Sequence, residues 1–158
     1  MIVLDTNVLS ALMRAQPDPA AVRWLDLQPA KSLWTTAVTL FEVRYGILAL
    51  PAGKRRKSLH DAFEALLRLD LEGRVLDFDA GASAAAAEIA ARNRAAGRTV
   101  DVRDVQIAGI VASRRGTLAT RNARHFDSTG IAIVDPWAAD LGSRTASAPR
   151  SRSRRHGT

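Results

Sequence analysis

The sequence contains no cysteine among its 158 residues, which excludes disulfide bonds and thiolate metal ligands. This absence is typical of proteins in a reducing compartment, and we expect a cytoplasmic location. The chain also lacks any run that approaches the ~18 uncharged apolar residues needed for a membrane span. Its first apolar run has no basic leader and ends at Asp5, so neither a signal peptide nor a membrane association is expected.

Acidic residues are absent from the C-terminal segment 142–158, which carries five arginines. The whole chain has a formal net charge of +7, so leaving out that segment gives +2 for residues 1–141. The segment is rich in serine, arginine, proline and glycine, a composition typical of disorder. We therefore expect one domain over 1–141 and a basic, disordered tail, which either contacts nucleic-acid phosphates or has no role.

Helical and strand patterns alternate along residues 1–141, which indicates βαβ units. The expected fold class is α/β, with a central, mostly parallel five-stranded sheet flanked by helices. The predicted strands are 1–4, 32–38, 74–79, 117–122 and 131–137, the last at a sheet edge. The predicted helices are 6–19, 20–29, 39–50, 59–71, 80–97 and 99–116, with a polar turn at 51–58.

Asp5 follows the first predicted strand directly, in the stretch "IVLDTN". In open α/β sheets, ligands bind at the carboxyl ends of the strands. A carboxylate at this point is equally well explained as the N-cap of the next helix. Thr6 and Asn7 come next and are placed to orient the Asp5 carboxylate.

Two further acids are predicted near helix N-termini. Thr39 and Glu42 have the spacing of a capping box, and Asp101 is placed to cap the helix that carries Asp104 in its first turn. Each acid has a structural explanation, yet three carboxylates at one sheet edge with Asp5 would repel one another and would need a cation. Oxygen ligands without cysteine or histidine favour Mg²⁺ or Mn²⁺.

The end of the fourth predicted strand adds polar groups to the same edge, in the stretch "TRN". Thr120 is placed to orient a ligand, and Asn122 could offer a ligand oxygen or hold a metal-bound water. The three histidines lack metal-ligand spacing, and His125 is interpreted as a loop residue rather than a catalytic base.

Four segments together resemble PIN-domain ribonucleases: "MIVLDTNVLSALMR", "AVTLFEVRYGILALPAGKRRKSL", "VRDVQIAGIVASRRGTLATRNARHF" and "VDPW". Within that family the chain is most similar to the VapC toxins of toxin–antitoxin pairs, of the FitB-like kind. The resemblance covers residues 1–141. It implies a three-layer, Rossmann-like PIN fold and a Mg²⁺-dependent endoribonuclease, a hydrolase acting on ester bonds.

Carried over to this sequence, the resemblance makes Asp5, Glu42 and Asp104 the catalytic acids. Asp5 and Asp104 are implied as direct Mg²⁺ ligands, and Glu42 is implied as the group that orients or deprotonates the attacking water. A fourth acid often stands where this chain has Asn122, so a second tightly held metal is less expected. Asp127 has a different spacing and is a poor substitute.

The resemblance also implies partners. Arg14, Arg44 and Arg121 are candidates for contacts with RNA phosphates, although Arg44 is also explained by an ion pair or by contact with an inhibitor. A VapB-type antitoxin helix is expected in a groove of the helical hairpin at 41–71. A homodimer and a higher-order toxin–antitoxin complex are expected as well.

Two other classes of protein remain as alternatives. An Asp-dependent phosphotransferase usually carries Asp-x-Asp, whereas the third position here is Asn7. A noncatalytic PIN-like or receiver-like binding module is the other alternative, and three intact acids argue against it.

Overall fold

The computed structural model describes residues 1–138, which form one parallel sheet and the helices around it. The sheet has five strands in the order β3-β2-β1-β4-β5, and every paired neighbour is parallel. The predicted α/β class and the edge position of the last strand are therefore confirmed. The strands are β1 (Ile2–Leu4), β2 (Leu33–Thr36), β3 (Val75–Leu76), β4 (Thr117–Ala119) and β5 (Ala132–Val134).

Seven α-helices flank the sheet within the described part of the chain. They are α1 (Thr6–Leu12), α2 (Pro19–Asp26), α3 (Ala37–Leu48), α4 (Lys54–Ala65), α5 (Ala80–Ala95), α6 (Val102–Ser113) and α7 (Ala123–Phe126). A π-helical turn at Leu66–Asp70 continues α4, and a 3₁₀ turn at Ala30–Ser32 precedes β2. None of the helices at 1–138 is long and apolar enough to cross a membrane.

Two hydrophobic cores lie on opposite faces of the sheet, which gives three layers. Val3 and Leu4 of β1 are both buried, and because adjacent strand residues face opposite sides, each enters a different core. Leu4 packs in the core formed by α1 to α4, and Val3 packs in the core formed by α5, α6 and α7. The wholly apolar run predicted for β1 is explained by this burial on both faces.

Helix α6 lies very close to α5, and this contact sets the position of α6. A Cβ atom at Gly109 would lie 2.5 Å from the carbonyl oxygen of Ala82 and 2.7 Å from the Ala86 Cβ. Glycine in α6 and alanines in α5 therefore let the two helices approach more closely than larger residues would allow. The first turn of α6, which carries Asp104, lies at the same sheet edge as Asp5.

The predicted start of α3 is wrong. The helix begins at Ala37, and Thr36 rather than Thr39 is the N-cap: its hydroxyl accepts a hydrogen bond from the Thr39 amide at 2.9 Å. Glu42 is therefore the sixth residue of the helix and takes no part in a capping box. The prediction failed because both threonines can cap a helix, and β2 ends two residues earlier than the apolar pattern indicated.

Other predicted bounds differ as well. Helix α4 begins at Lys54, inside the predicted polar turn, because residues with high helix propensity need no apolar face to extend a helix. Helix α1 ends at Leu12, well before the prolines expected to end it. The strands are shorter than predicted. Ala37 and Val38 belong to α3, and the polar residues 120–122 belong to the connection between β4 and α7. His125 lies in α7, so its interpretation as a loop residue is wrong.

Two local predictions are confirmed. The Asp101 side chain caps α6 by accepting a hydrogen bond from the Arg103 amide at 2.8 Å. Gly97 follows the end of α5 with a φ of 68°, the left-handed conformation that ends many helices. The predicted boundary at residue 141 and the basic segment 142–158 lie outside the described residues.

Candidate active site

Asp5 is a buried carboxylate held by neutral donors at the carboxyl end of β1. Its side chain is the N-cap of α1, and Oδ1 accepts a hydrogen bond from the Thr6 amide at 2.8 Å. Oδ2 accepts from the Asn7 Nδ2 and from the Thr120 Oγ1, both at 2.7 Å. Burial raises the pKa of Asp5 above its ordinary value, and these hydrogen bonds oppose part of the rise. Asp5 therefore caps α1 and also places a carboxylate at the carboxyl end of the sheet.

Thr120 joins the ends of β1 and β4 through a fully buried hydroxyl group. Besides donating to Asp5, its Oγ1 accepts hydrogen bonds from the Asn7 Nδ2 at 2.9 Å and from the Asn122 amide at 3.0 Å. The Asn7 Oδ1 in turn accepts from the Arg121 amide at 3.0 Å. These contacts lock the Asp5 carboxylate in one orientation, because each of its oxygens has a fixed donor.

Glu42 projects from α3 towards the same edge of the sheet. Its Oε2 accepts a hydrogen bond from the Thr6 hydroxyl at 2.5 Å, and its Oε1 lies 3.6 Å from the Arg103 guanidinium. Thr6 therefore has two functions: its amide orients Asp5 and its hydroxyl orients Glu42.

Asp104 lies in the first turn of α6, half-buried, with its Oδ2 3.4 Å from the Nδ1 of His125. Burial is the main cause that raises the pKa of Asp104 above its ordinary value. His125 opposes this rise, while the charges of Asp101, Asp5 and Glu42 add to it. The charges of Asp5 and Glu42 therefore reach Asp104 across the pocket.

The three predicted acids line one pocket of about 320 Å³. They come from the end of β1, the middle of α3 and the first turn of α6, so the structure brings together residues that are far apart in the chain. The other lining residues are Thr6, Asn7, Asp101, Arg103, Asn122, His125 and Phe126.

The remaining predicted site residues differ in their positions. Asn122 is exposed at the rim of the pocket, whereas Arg14, Arg44 and Arg121 are not among its lining residues. Arg44 forms an ion pair with Glu64 at 3.2 Å, so Glu42 is not its partner. Arg121 lies over the Trp137 ring, 5.2 Å from the ring centroid.

Asp127 does not substitute for the missing fourth acid, because it lines a separate pocket beside Arg92 and Arg98.

Two residues in the pocket that contains Asp5 were not predicted as site residues from the sequence. His125 contacts Asp104, and Arg103 lies between Asp101 and Glu42. The signal that could have indicated Arg103 is its position in the chain between Asp101, the N-cap of α6, and Asp104 in the first turn of that helix.

The donor chemistry of the pocket fits a hard divalent cation, since Asp5, Glu42 and Asp104 offer carboxylate oxygens and their charges repel one another. Nevertheless, within residues 1–138 no three acidic or histidine side chains are grouped closely enough to hold one ion. Instead, Glu42 lies beside Arg103, and Asp104 lies beside His125. The side chains of Glu42 and Asp104 would have to turn for all three carboxylates to bind one ion.

Comparisons with known proteins agree on one family. The sequence profile of the PIN domain matches residues 2–131. The chain is 39% identical over 137 residues to "VapC ribonuclease Y4jK" of Sinorhizobium fredii, covering 87% of this chain and 98% of that protein. It is 34% identical over 137 residues to "Toxin FitB" of Neisseria gonorrhoeae, covering 87% and 99%. A structure of FitAB bound to an IR36 DNA fragment matches with a TM-score of 0.78 at 34% identity, covering 87% of this chain and 96% of that one.

Proposed function

Because the chain belongs to the PIN-domain family, we propose that it is a Mg²⁺-dependent endoribonuclease and the toxin of a toxin–antitoxin pair. The observation that carries the proposal is the convergence of Asp5, Glu42 and Asp104 on one pocket. The names of its relatives, a VapC ribonuclease and the FitB toxin, support the reaction and the biological role.

Asp5 and Asp104 would hold the metal ion, and Glu42 would face it. When bound, Mg²⁺ or Mn²⁺ acidifies a water molecule and offsets the negative charge that develops on the phosphate. Asp5 is the best-prepared ligand, because its donors from Thr6, Asn7 and Thr120 keep the carboxylate in place before the ion arrives.

Glu42 is the residue proposed to orient and deprotonate the attacking water. The Thr6 hydroxyl holds its Oε2, which leaves Oε1 as the oxygen that can accept the proton once Arg103 moves away. The water oxygen then bonds to phosphorus as the bond from phosphorus to the 3′-oxygen breaks, and the departing 3′-oxygen takes up a proton from solvent water. The products carry a 5′-phosphate and a 3′-hydroxyl.

The residue two positions after Asp5 argues against the phosphotransferase alternative. Asp-dependent phosphotransferases usually carry Asp-x-Asp, whereas this chain has Asn7 at the third position. The Asn7 Nδ2 donates to the Asp5 Oδ2 at 2.7 Å, so Asn7 orients this carboxylate.

The partners are part of the same proposal. A VapB-type antitoxin is supported by the similarity to FitAB. The outer face of α3 exposes Phe41, Tyr45 and Leu48, with the two aromatic rings stacked at 6.0 Å, and this face is the proposed docking site for its apolar helix. A homodimer, a higher-order complex with the antitoxin and a cytoplasmic location remain expectations.

Expression of the chain in bacteria, followed by mapping of transcript ends, tests the function. We expect growth arrest and discrete cuts from the unchanged protein, and neither from Asp5→Ala or Asp104→Asn. Asp79→Asn is the matched control, since Asp79 caps α5 outside the pocket. Equal toxicity from all four proteins would contradict the assignment.

The same purified proteins distinguish the alternatives. Chelation by EDTA should stop RNA cleavage, and Mg²⁺ or Mn²⁺ should restore it. A covalent aspartyl phosphate would indicate a phosphotransferase. Binding of RNA without cleavage under any metal condition would indicate a noncatalytic module.

A further inference from the structure

The pocket is lined mainly by acidic side chains, although the RNA proposed as its substrate is also negatively charged. Four carboxylates line it, from Asp5, Glu42, Asp101 and Asp104. Among the described residues of its lining, Arg103 is the one lysine or arginine. The arginines expected from sequence to contact phosphates are not among its lining residues, so an RNA backbone that enters the pocket needs a positively charged side chain in addition to the proposed metal ion.

The guanidinium group of Arg103 is held by Asp101 and is still accessible to a ligand. Its Nε lies 3.3 Å from the Asp101 Oδ1, and its Nη2 lies 3.4 Å from the Asp101 Oδ2. This two-point contact orients the planar group. The side chain of Arg103 is 49% exposed, so solvent or a ligand can reach it.

The third contact of Arg103 is the weaker one. Its Nη1 lies 3.6 Å from the Glu42 Oε1, which is too long for a good hydrogen bond. A phosphate oxygen at hydrogen-bonding distance would be a better partner for this nitrogen than the present carboxylate. Glu42 keeps its hydrogen bond from Thr6 when Arg103 turns away.

We propose that Arg103 is the residue that binds a phosphate of the RNA substrate in this pocket, with Asp101 as the residue that positions its guanidinium. This inference rests on the proposed function. The Nη1 group exchanges Glu42 for a non-bridging phosphate oxygen, so arrival of the substrate also frees the Glu42 oxygen that accepts the proton from water. Asp101 therefore positions Arg103 in addition to capping α6.

Binding of a short fluorescent single-stranded RNA, measured by anisotropy in EDTA at several salt concentrations, tests the inference without cleavage. We expect Arg103→Ala to raise the Kd about tenfold and to reduce the slope of log K against log salt by about 0.7, the loss of one phosphate contact on a single strand. The Kd of Arg103→Lys should lie between the values for the unchanged protein and for Arg103→Ala, because lysine keeps the charge without the planar guanidinium group.

Arg114→Ala is the matched control. Arg114 follows the other end of α6 and is paired with Asp79 at 2.6 Å, so its removal costs one positive charge outside the pocket. It should leave the Kd and the salt slope unchanged. Arg103→Gln, which keeps most of the side-chain length, serves as a second variant, and thermal melts verify that each protein is folded.

Single-turnover cleavage provides a second readout. Loss of a substrate contact should raise the RNA concentration that gives half-maximal rate more than it lowers the maximal rate. Equal RNA binding by Arg103→Ala, Arg103→Gln and Arg114→Ala would overturn the inference, and tighter binding by the Arg103 variants would show that Arg103 blocks the pocket. If the unchanged protein cleaves RNA, either result leaves the proposed function intact. If it neither binds nor cleaves RNA, both proposals fail.

Discussion

Asp5 and Asp79 occupy similar positions in the chain but very different environments. Each follows a strand and caps a helix. Asp79 is exposed, accepts a hydrogen bond from the Ala82 amide at 2.9 Å and forms an ion pair with Arg114. The Ala82 amide and Arg114 lower its pKa. Asp5 is buried without an ion pair to a lysine or arginine in the described structure, and burial raises its pKa.

The different environments of Asp79 and Asp5 distinguish a structural carboxylate from a functional one. Asp79 is neutralised within the fold, so its charge stabilises the protein. Asp5 and Asp104 are kept in a pocket where burial opposes their ionisation, and for Asp104 the charges of neighbouring acids add to this effect. A folded chain retains that unfavourable charge where a ligand can compensate for it.

Substitution of the buried acid should have the largest effect. Asp5→Asn should reduce RNA cleavage by at least ~10³-fold, equivalent to about 4 kcal/mol of transition-state stabilisation. The side chain keeps its shape and can still accept a hydrogen bond from the Thr6 amide, so the fold should persist. Single-turnover cleavage and circular dichroism measure the two effects. Asp79→Asn should cleave RNA as the unchanged protein does, and a similar loss in both variants would break the distinction.

Removal of Asp104 should alter the response to metal. At a Mg²⁺ concentration of about 100 times the Kd, the metal should stabilise the unchanged protein by about 2.7 kcal/mol, because Mg²⁺ binds only the folded state. Asp104→Asn should lose most of this gain. It should also melt at a higher temperature than the unchanged protein in EDTA, since it removes a carboxylate whose ionisation burial opposes. Thermal melts with EDTA and with Mg²⁺ measure both effects, and a full Mg²⁺ response in Asp104→Asn would exclude it as a ligand.

Loss of one hydroxyl group should have an intermediate effect. Thr120→Val removes the donor to Asp5 and the acceptor for the amide of Asn122, which should cost about 1–3 kcal/mol of stability. Cleavage should fall about tenfold, equivalent to about 1.4 kcal/mol, because Asp5 loses a fixed orientation. Thr120→Ser keeps the hydroxyl and is the control. Equal behaviour of the valine and serine variants in urea unfolding and in cleavage would show that the hydroxyl is dispensable.

The smallest effect concerns the structural acid. Asp79→Ala should lower the melting temperature by a few degrees at neutral pH and leave cleavage unchanged. The folded pKa of Asp79 lies below its ordinary value of 3.8, so its stabilisation is present above pH 3.8 and is lost as the pH falls through the folded pKa. The difference in melting temperature should therefore shrink in acid. A difference that stays constant from pH 7 to pH 3 would indicate loss of packing instead of loss of charge.

The sequence predicted the local features well. Apart from the short helix α7, which was not predicted, the strand and helix order, the edge position of β5 and the cap at Asp101 follow from periodicity and from residues with strong local preferences. The start of α3 could not be predicted, because Thr36 and Thr39 are equally suited to capping and only the end of β2 decides between them. The pairing of Arg44 with Glu64 depends on how α3 and α4 pack.

Sequence alone determined which groups are available: an aspartate after a buried strand, an acid in the first turn of α6, and a chain without cysteine. Only the tertiary structure decided which acids face one another and which cations accompany them. Hydrogen bonding within a strand or helix is local, so it can be inferred from neighbouring residues. Burial and charge in the pocket arise from α1, α3, α6 and α7 meeting at one sheet edge, which no single stretch of sequence contains.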